Sequence, residues 1–256
     1  MREMNRRLIA ITGSAGLLGS VLREKLADDY DLLSIDKAAC EHSQQQQIAM
    51  QDLDAVVKAF DGCDVVIDLA ATPGSDVPWN EVIDNNIVAT RNALEAARRV
   101  GAKRLIFASS NYVVMGHEKD EPYKSIIAGN YEGITPGNFE RLSLNHPLRP
   151  ESPYAVGKAF GEAACRYYSD EFGLSTICLR IGTVKAEDKP SKPRHFAKFL
   201  SHRDFATLVK CCIEADEGLK FGIFYGVSEN TWNIWDNQDA QRTLGFQPLD
   251  NAESWR

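Results

Sequence analysis

Leu8-Ile9-Ala10-Ile11-Thr12-Gly13-Ser14-Ala15-Gly16-Leu17-Leu18-Gly19 decides the fold of this chain. Four apolar residues run straight into glycines at positions 13, 16 and 19, and Leu17, Leu18, Val21, Leu22 and Leu26 then recur at helical spacing. A buried strand, a tight turn and a helix follow from that pattern. Glycines at such a turn let backbone N–H groups approach a pyrophosphate at the helix N-terminus. Asp36 lies at the end of the next apolar run, Leu32 to Ile35, twenty residues beyond Gly16. That is the spacing of a carboxylate that grips adenosine ribose hydroxyls and repels a 2′-phosphate, so NAD is the expected cofactor. Lys37 beside it softens the preference.

The alternation continues outward. Asp54 to Phe60 reads as a short helix, Val65 to Ala71 as a buried strand and Glu81 to Val100 as a long helix stopped by Gly101. Arg104 to Ser110 and Ser175 to Ile181 read as strands, with a helix over Tyr154 to Phe172 between them. Asp204 to Ala215 reads as a further helix and Ile223 to Val227 as a last strand. Continuous apolar strands joined by helices predict an α/β, Rossmann-type, doubly wound parallel sheet covered on both faces. Glu118 to Pro153 lacks periodicity and reads as a long irregular loop, the usual form of a lid or binding loop. Lys185 to Pro193 and the run Gln44 to Gln47 also read as loops. We expect one domain over 1–256, with 1–182 mainly nucleotide-binding core and 183–256 mainly a small substrate-binding portion.

Composition narrows the function. A net charge of -7 argues against a nucleic-acid surface. The basic start is followed by an apolar run too short for a signal-peptide core, and no stretch is long enough to span a membrane, so a cytoplasmic protein is expected. Cys40, Cys63, Cys165, Cys178, Cys211 and Cys212 show no C-x-x-C pair, and most read as reduced, small hydrophobes. The five histidines are scattered, and no metal is expected.

Tyr154 and Lys158 stand at i and i+4 on one helix face. A nearby ammonium favours the phenolate, so Lys158 is expected to lower the phenol's pKa. Ser110 ends a strand, where open α/β sheets bind ligands, and can hold a substrate oxygen. Asp52 is a candidate for the adenine amino group or, equally, a helix-start acid.

With these pieces assembled, the chain resembles the extended short-chain dehydrogenase/reductases, the NAD-dependent epimerase/dehydratase family, over essentially its whole length. The resemblance is carried by T-G-S-A-G-L-L-G (Thr12 to Gly19), D-L (Asp52, Leu53), D-L-A-A (Asp68 to Ala71), N-I-V-A-T-R-N (Asn86 to Asn92), F-A-S-S-N (Phe107 to Asn111) and S-P-Y-A-V-G-K (Ser152 to Lys158). It implies Ser110, Tyr154 and Lys158 as the catalytic set, with Asn86 ordering the site. It places Gly13, Gly16, Leu17, Leu18, Gly19, Asp36, Asp52, Leu53, Ala70, Ala71 and Ile181 around NAD, together with Tyr154 and Lys158. It also implies a homodimer, or a higher homo-oligomer, formed through the helices at Glu81 to Val100 and Tyr154 to Phe172.

Within the family the chain is most similar to uronate dehydrogenases and haloarchaeal NAD-dependent glucose-6-phosphate dehydrogenases. S-S-N (Ser109 to Asn111), L-R-I-G-T (Leu179 to Thr183), S-H-R-D-F (Ser201 to Phe205) and W-D-N (Trp235 to Asn237) carry that likeness. It implies oxidation of a sugar hydroxyl at C1 of a uronic acid or sugar phosphate, with Asn111, Thr183 and Arg194 lining the sugar site. Arg194 has the planar fork that suits a carboxylate or phosphate. Tyr112 stands where the uronate enzymes carry histidine, and the Glu118 to Pro153 stretch is longer than theirs. Ser75 is a further substrate-edge candidate. A nucleotide-sugar epimerase or a small-carbonyl reductase on the same fold is the alternative, but the residues after Gly182 leave little room for a nucleotide diphosphate.

Overall fold

A computed structural model of the chain describes residues 6–39 and 45–256. Cys40 and Gln44, read above as a small hydrophobe and a loop residue, lie outside the described residues. The elements run in order. β1 (Leu8–Thr12), α1 (Leu17–Leu26), β2 (Asp31–Asp36), β3 (Gln45–Gln47), α2 (Leu53–Ala59) and β4 (Val65–Asp68) form the first half. A helix then begins as α3 (Trp79–Val82), passes through a π-helical turn at Ile83–Val88 and continues as α4 (Ala89–Val100). β5 (Arg104–Ser110) leads into a 3₁₀-helical stretch, Asn111–Lys119, and α5 (Tyr123–Ala128). α6 (Pro153–Phe172), β6 (Ser175–Ile181), α7 (His202–Glu214), β7 (Phe221–Gly226) and α8 (Gln238–Leu244) complete the chain.

All strand pairings are parallel, in the order β3-β2-β1-β4-β5-β6-β7. This is the doubly wound arrangement, with its switch point between β1 and β4. Side chains alternate along each strand. Ile9, Ile11, Ile67, Ile106 and Leu179 face α1 and α7 through Leu22, Leu26, Phe205 and Leu208. Ala10, Val66, Leu105, Phe107 and Cys178 face the opposite layer, with Val56, Phe60, Ala93, Leu94 and Cys165. Every residue of β5 and of β6 is buried, which is why their middles, Leu105 to Ala108 and Ile177 to Leu179, read as continuous apolar segments.

The structure amends four boundaries. Gln45–Gln47 is an edge strand, not a loop, because it completes the backbone ladder of β2 at Ser34, Ile35 and Asp36. β4 ends at Asp68 rather than Ala71: Leu69 and Ala70 leave the ladder, and their N–H groups donate to the Thr12 hydroxyl at 3.2 and 3.1 Å. The stretch after Glu118 is not wholly irregular. Its α5 and Leu142 join Val113, Tyr225, Trp232 and Trp235 in a third core that roofs one end of the sheet. Finally, β7 and α7 extend the main sheet and its core, so much of the portion after residue 182 shares that core, while Ala197, Tyr225, Val227, Trp232, Ile234 and Trp235 belong to the roof with residues 113–142.

Candidate active site

The strands' C-terminal ends open onto a cleft of about 750 Å³, within the range that holds small-molecule cofactors. At one end lies the glycine turn. Gly13 has φ +64°, and a Cβ there would come within 2.9 Å of the Ala70 nitrogen, so only glycine lets β1 and the end of β4 meet. Thr12 fastens the same junction by donating to Asp68 Oδ1 at 2.7 Å. The N-terminus of α1 has no side-chain cap, which leaves its N–H groups for an anion. Asp36 closes the turn by accepting from the Ala15 N–H at 2.9 Å and from the Ala38 N–H at 2.9 Å, and it lines the cleft. A strand-end carboxylate, an uncapped helix terminus and a turn with no room for side chains together fit a dinucleotide.

Gly13, Gly16, Leu17, Leu18, Asp36, Ala70, Ala71 and Ile181 all line this cleft. Four other cofactor-side candidates do not. Gly19 packs under the turn, where a Cβ would come within 2.6 Å of Gly13 and Ser14 backbone atoms. Asp52 caps α2 by accepting from the Ala55 N–H at 3.1 Å, and Leu53 is the first residue of that helix. Their neighbours Met50 and Gln51 line the cleft instead. Asn86, in the π-helical turn, is buried and bonds Thr72 twice, accepting from its N–H at 2.8 Å and donating to its carbonyl at 3.2 Å. It therefore orders the loop that edges the cleft, while Asn85 from the same turn reaches the lining.

At the cleft's middle, Ser110 ends β5 and accepts from the Tyr112 N–H at 3.2 Å. Tyr154 rides on the first turn of α6, which Ser152 caps by accepting from the Ala155 N–H at 3.2 Å, with Pro153 at the helix start. The Ser110 side chain stands beside Tyr154 and favours its phenolate. Lys158 follows one turn on, 3% exposed, with Nζ 4.8 Å from the Phe107 ring centre and 5.8 Å from that of Tyr154. α6 approaches this closely because Gly161 presents no side chain: a Cβ would sit 2.2 Å from Phe107 Cζ.

The expected lowering of the phenol is not what this geometry produces. Burial pushes Tyr154 up to about 12, opposed by the Ser110 hydroxyl and reinforced by Tyr112. Burial likewise pushes Lys158 down to about 8, against the pull of Asp68. Both groups are desolvated, and the ammonium sits over the Phe107 ring with Asp68 as the charge that acts on it most.

Beneath the pair runs a network that sequence reasoning missed. Glu162 accepts from Ser109 at 2.6 Å and from Arg180 through both oxygens at 2.9 Å, and Arg180 donates to the Tyr225 hydroxyl at 3.0 Å. It ties α6 to β5, β6 and β7 directly under the site. The available signal was an arginine inside the apolar run Ile177 to Ile181.

At the far end, Asn111, Tyr112, Thr183 and Arg194 line the cleft, and Ser75 does not. Ser75 is exposed, and Pro73 and Gly74 form that edge. The Asn111 amide nitrogen is buried with no hydrogen-bond partner. Tyr112 meets Tyr154 edge-on at 5.7 Å. Lys185, His195 and Lys198 line the same end and were not anticipated. Arg194 is not free, as it donates to Glu118 at 2.9 Å.

Comparison with known proteins agrees with this architecture. The sequence is 32% identical to an NAD-dependent glucose-6-phosphate dehydrogenase of Haloferax volcanii, covering 95% of this chain and 94% of that protein. It is 34% identical to an L-arabinose 1-dehydrogenase (NAD(P)(+)) of the same organism, covering 95% and 97%. The fold matches a crystal structure of uronate dehydrogenase from Agrobacterium tumefaciens, a mutant complexed with NAD, with a TM-score of 0.82, 31% identity and coverage of 98% and 87%. The profile of the NAD dependent epimerase/dehydratase family matches residues 9–204. With its glycine turn, its strand-end acid and its Ser-Tyr-Lys cluster along one cleft, the chain belongs to the NAD dependent epimerase/dehydratase family.

Proposed function

We propose that this protein is an NAD-dependent dehydrogenase that oxidises the C1 hydroxyl of an anionic sugar, a uronic acid or a sugar phosphate. One observation carries the reading: the glycine turn with Asp36, the Ser110–Tyr154–Lys158 cluster and a cationic end holding Arg194 line a single continuous cleft. The turn and Asp36 would hold the dinucleotide, with Ile181, Ala70 and Ala71 along it and Lys158 at the ribose. Bound NAD supplies the hydride acceptor.

Acting as the phenolate, which the positive charges of Lys158 and of bound NAD would favour against burial, Tyr154 takes the proton of the sugar hydroxyl as the C–H hydride leaves for NAD, which makes a carbonyl and, on a uronic acid, an aldarolactone. Ser110 donates to the substrate oxygen and keeps it within reach of the phenol. Asn111, Tyr112 and Thr183 border the sugar. Arg194 faces its anionic group.

We also assign the protein to the cytoplasm, as a homodimer. No helix among the described residues is long and apolar enough to cross a membrane, and Cys63, Cys165, Cys178, Cys211 and Cys212 are free thiols, as a reducing compartment keeps them. Trp79 and Ile83 on one helical run and Val156, Phe160 and Tyr167 on the adjacent α6 are exposed, an apolar surface suited to a second copy.

The test is NADH formation with glucuronate, galacturonate, glucose 6-phosphate and neutral sugars. Turnover of an anionic sugar that drops at least about 100-fold in Tyr154→Phe supports the reading. Bound NAD with no reduction by any sugar on this panel overturns it.

A further inference from the structure

The far end of the cleft carries more positive charge than holding a neutral sugar requires. Lys185, Arg194 and Lys198 all line it. The carboxylate that answers them is Glu118, behind the wall, which accepts from Lys198 Nζ at 2.6 Å on one oxygen and from Arg194 at 2.9 Å on the other. The Glu118 and Lys198 side chains are only 5% and 2% exposed. Lys185 has no carboxylate within ion-pair distance among the described residues, and the Arg194 Nε is buried without a hydrogen-bond partner.

The surplus is felt locally. His195, in the same wall, is pushed down to about 4, by burial first and then by Lys185, Lys198, Arg194 and Lys192. Burial first, and Arg194 after it, disfavour the Lys198 charge against the pull of Glu118, so a fold that keeps it there bears a cost. The cluster is also joined to the chemistry. Lys198 Nζ lies 5.9 Å from the Tyr112 ring centre, and that ring meets Tyr154 edge-on, so one aromatic side chain separates the ammonium from the phenol.

We infer that Lys198 and Arg194, one on each oxygen of Glu118, form with Lys185 a subsite for a dianionic phosphomonoester on the sugar, in preference to a carboxylate. This rests on the anionic-sugar reading above and narrows it. Three cations against one carboxylate leave about two charges to be met. A phosphomonoester brings between about 1.5 and 2 negative charges at neutral pH, with three acceptor oxygens, and a carboxylate brings one charge and two oxygens. Lys198 is then the specificity-determining contact. Glu118 is a positioning residue, which holds both cations at a fixed separation without reaching the cleft.

The experiment titrates glucose 6-phosphate, glucuronate and glucose into the NAD-loaded Tyr154→Phe protein by calorimetry, where binding is read without turnover. We expect glucose 6-phosphate to bind about 10-fold or more tighter than glucuronate. Adding Lys198→Met should weaken it by about 10- to 100-fold, the loss of one charge-assisted hydrogen bond, and change glucose binding by less than about threefold. Lys198→Met leaves Glu118 buried against Arg194 alone. The further variant Lys198→Met with Glu118→Gln removes both charges of the buried pair, and should show the same loss if the first is poorly folded.

Undetectable glucose 6-phosphate binding, glucuronate binding as tight as glucose 6-phosphate, or unchanged affinity in the folded Lys198 variants overturns the subsite. If that happens while glucuronate reduces NAD in the unmutated enzyme, the dehydrogenase reading stands without it. If glucose 6-phosphate binds through Lys198 and no sugar on the panel reduces NAD, the subsite stands and C1 oxidation falls.

Discussion

Replacing Lys158 by methionine removes a charge that folding buries at a cost. The ammonium is fully desolvated, and its pKa falls from 10.5 in the unfolded chain to about 8 in the fold. At about 1.4 kcal/mol per pH unit, that difference is about 3 kcal/mol against the folded state near neutrality. Asp68, itself pushed up by burial, loses a nearby cation in the variant, which offsets part of the gain. We therefore expect Lys158→Met to be about 1–3 kcal/mol more stable at pH 7 and to have lost its activity.

The sign sets the pH window. Between about 8 and 10.5 the unfolded chain binds the proton more tightly than the native one, so the stability of the unmutated protein rises with pH there. The penalty is full below pH 8 and gone by 10.5, which makes the variant's advantage about 2 kcal/mol smaller at pH 9.5 than at pH 7. Urea denaturation of both proteins at these two pH values measures the difference. An equal difference at both, or a variant less stable at pH 7, would refute the argument that Lys158 is held in the site against its own desolvation.

The buried pair beneath the site should behave in the opposite way. Arg180→Met strands Glu162, whose side chain is 5% exposed, and should cost about 3–5 kcal/mol in urea denaturation. A cost below about 1 kcal/mol would show that Ser109 alone satisfies the carboxylate. Asp36→Asn removes the charge that disfavours a 2′-phosphate while keeping an acceptor for the Ala15 N–H. The ratio of kcat/KM for NADP to that for NAD should rise about 10-fold or more, helped by Lys37 beside it, and an unchanged ratio would remove Asp36 from the ribose site.

What could be read from the residues alone is what depends on local order in the chain. Ile9, Ile11, Ile67 and Ile106 sit in unbroken apolar runs because helices cover both faces of a parallel sheet, and such runs announce it. Gly13 and Asp36 declare themselves by spacing, since a tight turn and the next strand's end lie a fixed number of residues apart. Tyr154 and Lys158 are neighbours by helical geometry alone. Where local signals were weak, the reading slipped. Gln45–Gln47 has no apolar face, and only the backbone of β2 makes it a strand. Asp52 offered a helix-capping role and a ligand-facing one with equal force, and the path of the loop turned Met50 and Gln51 to the cleft instead.

The tertiary structure decided everything that required distant parts of the chain to meet. Glu118 and Lys198 are eighty positions apart, and no periodicity joins them; packing of the 3₁₀-helical stretch after β5 against the loop before α7 does. The charge states followed the same division. Sequence supplied a phenol one turn from an ammonium, from which a lowered pKa is the natural expectation. Burial then raised Tyr154 and lowered Lys158, because desolvation depends on all that surrounds a group, and a four-residue spacing carries none of that.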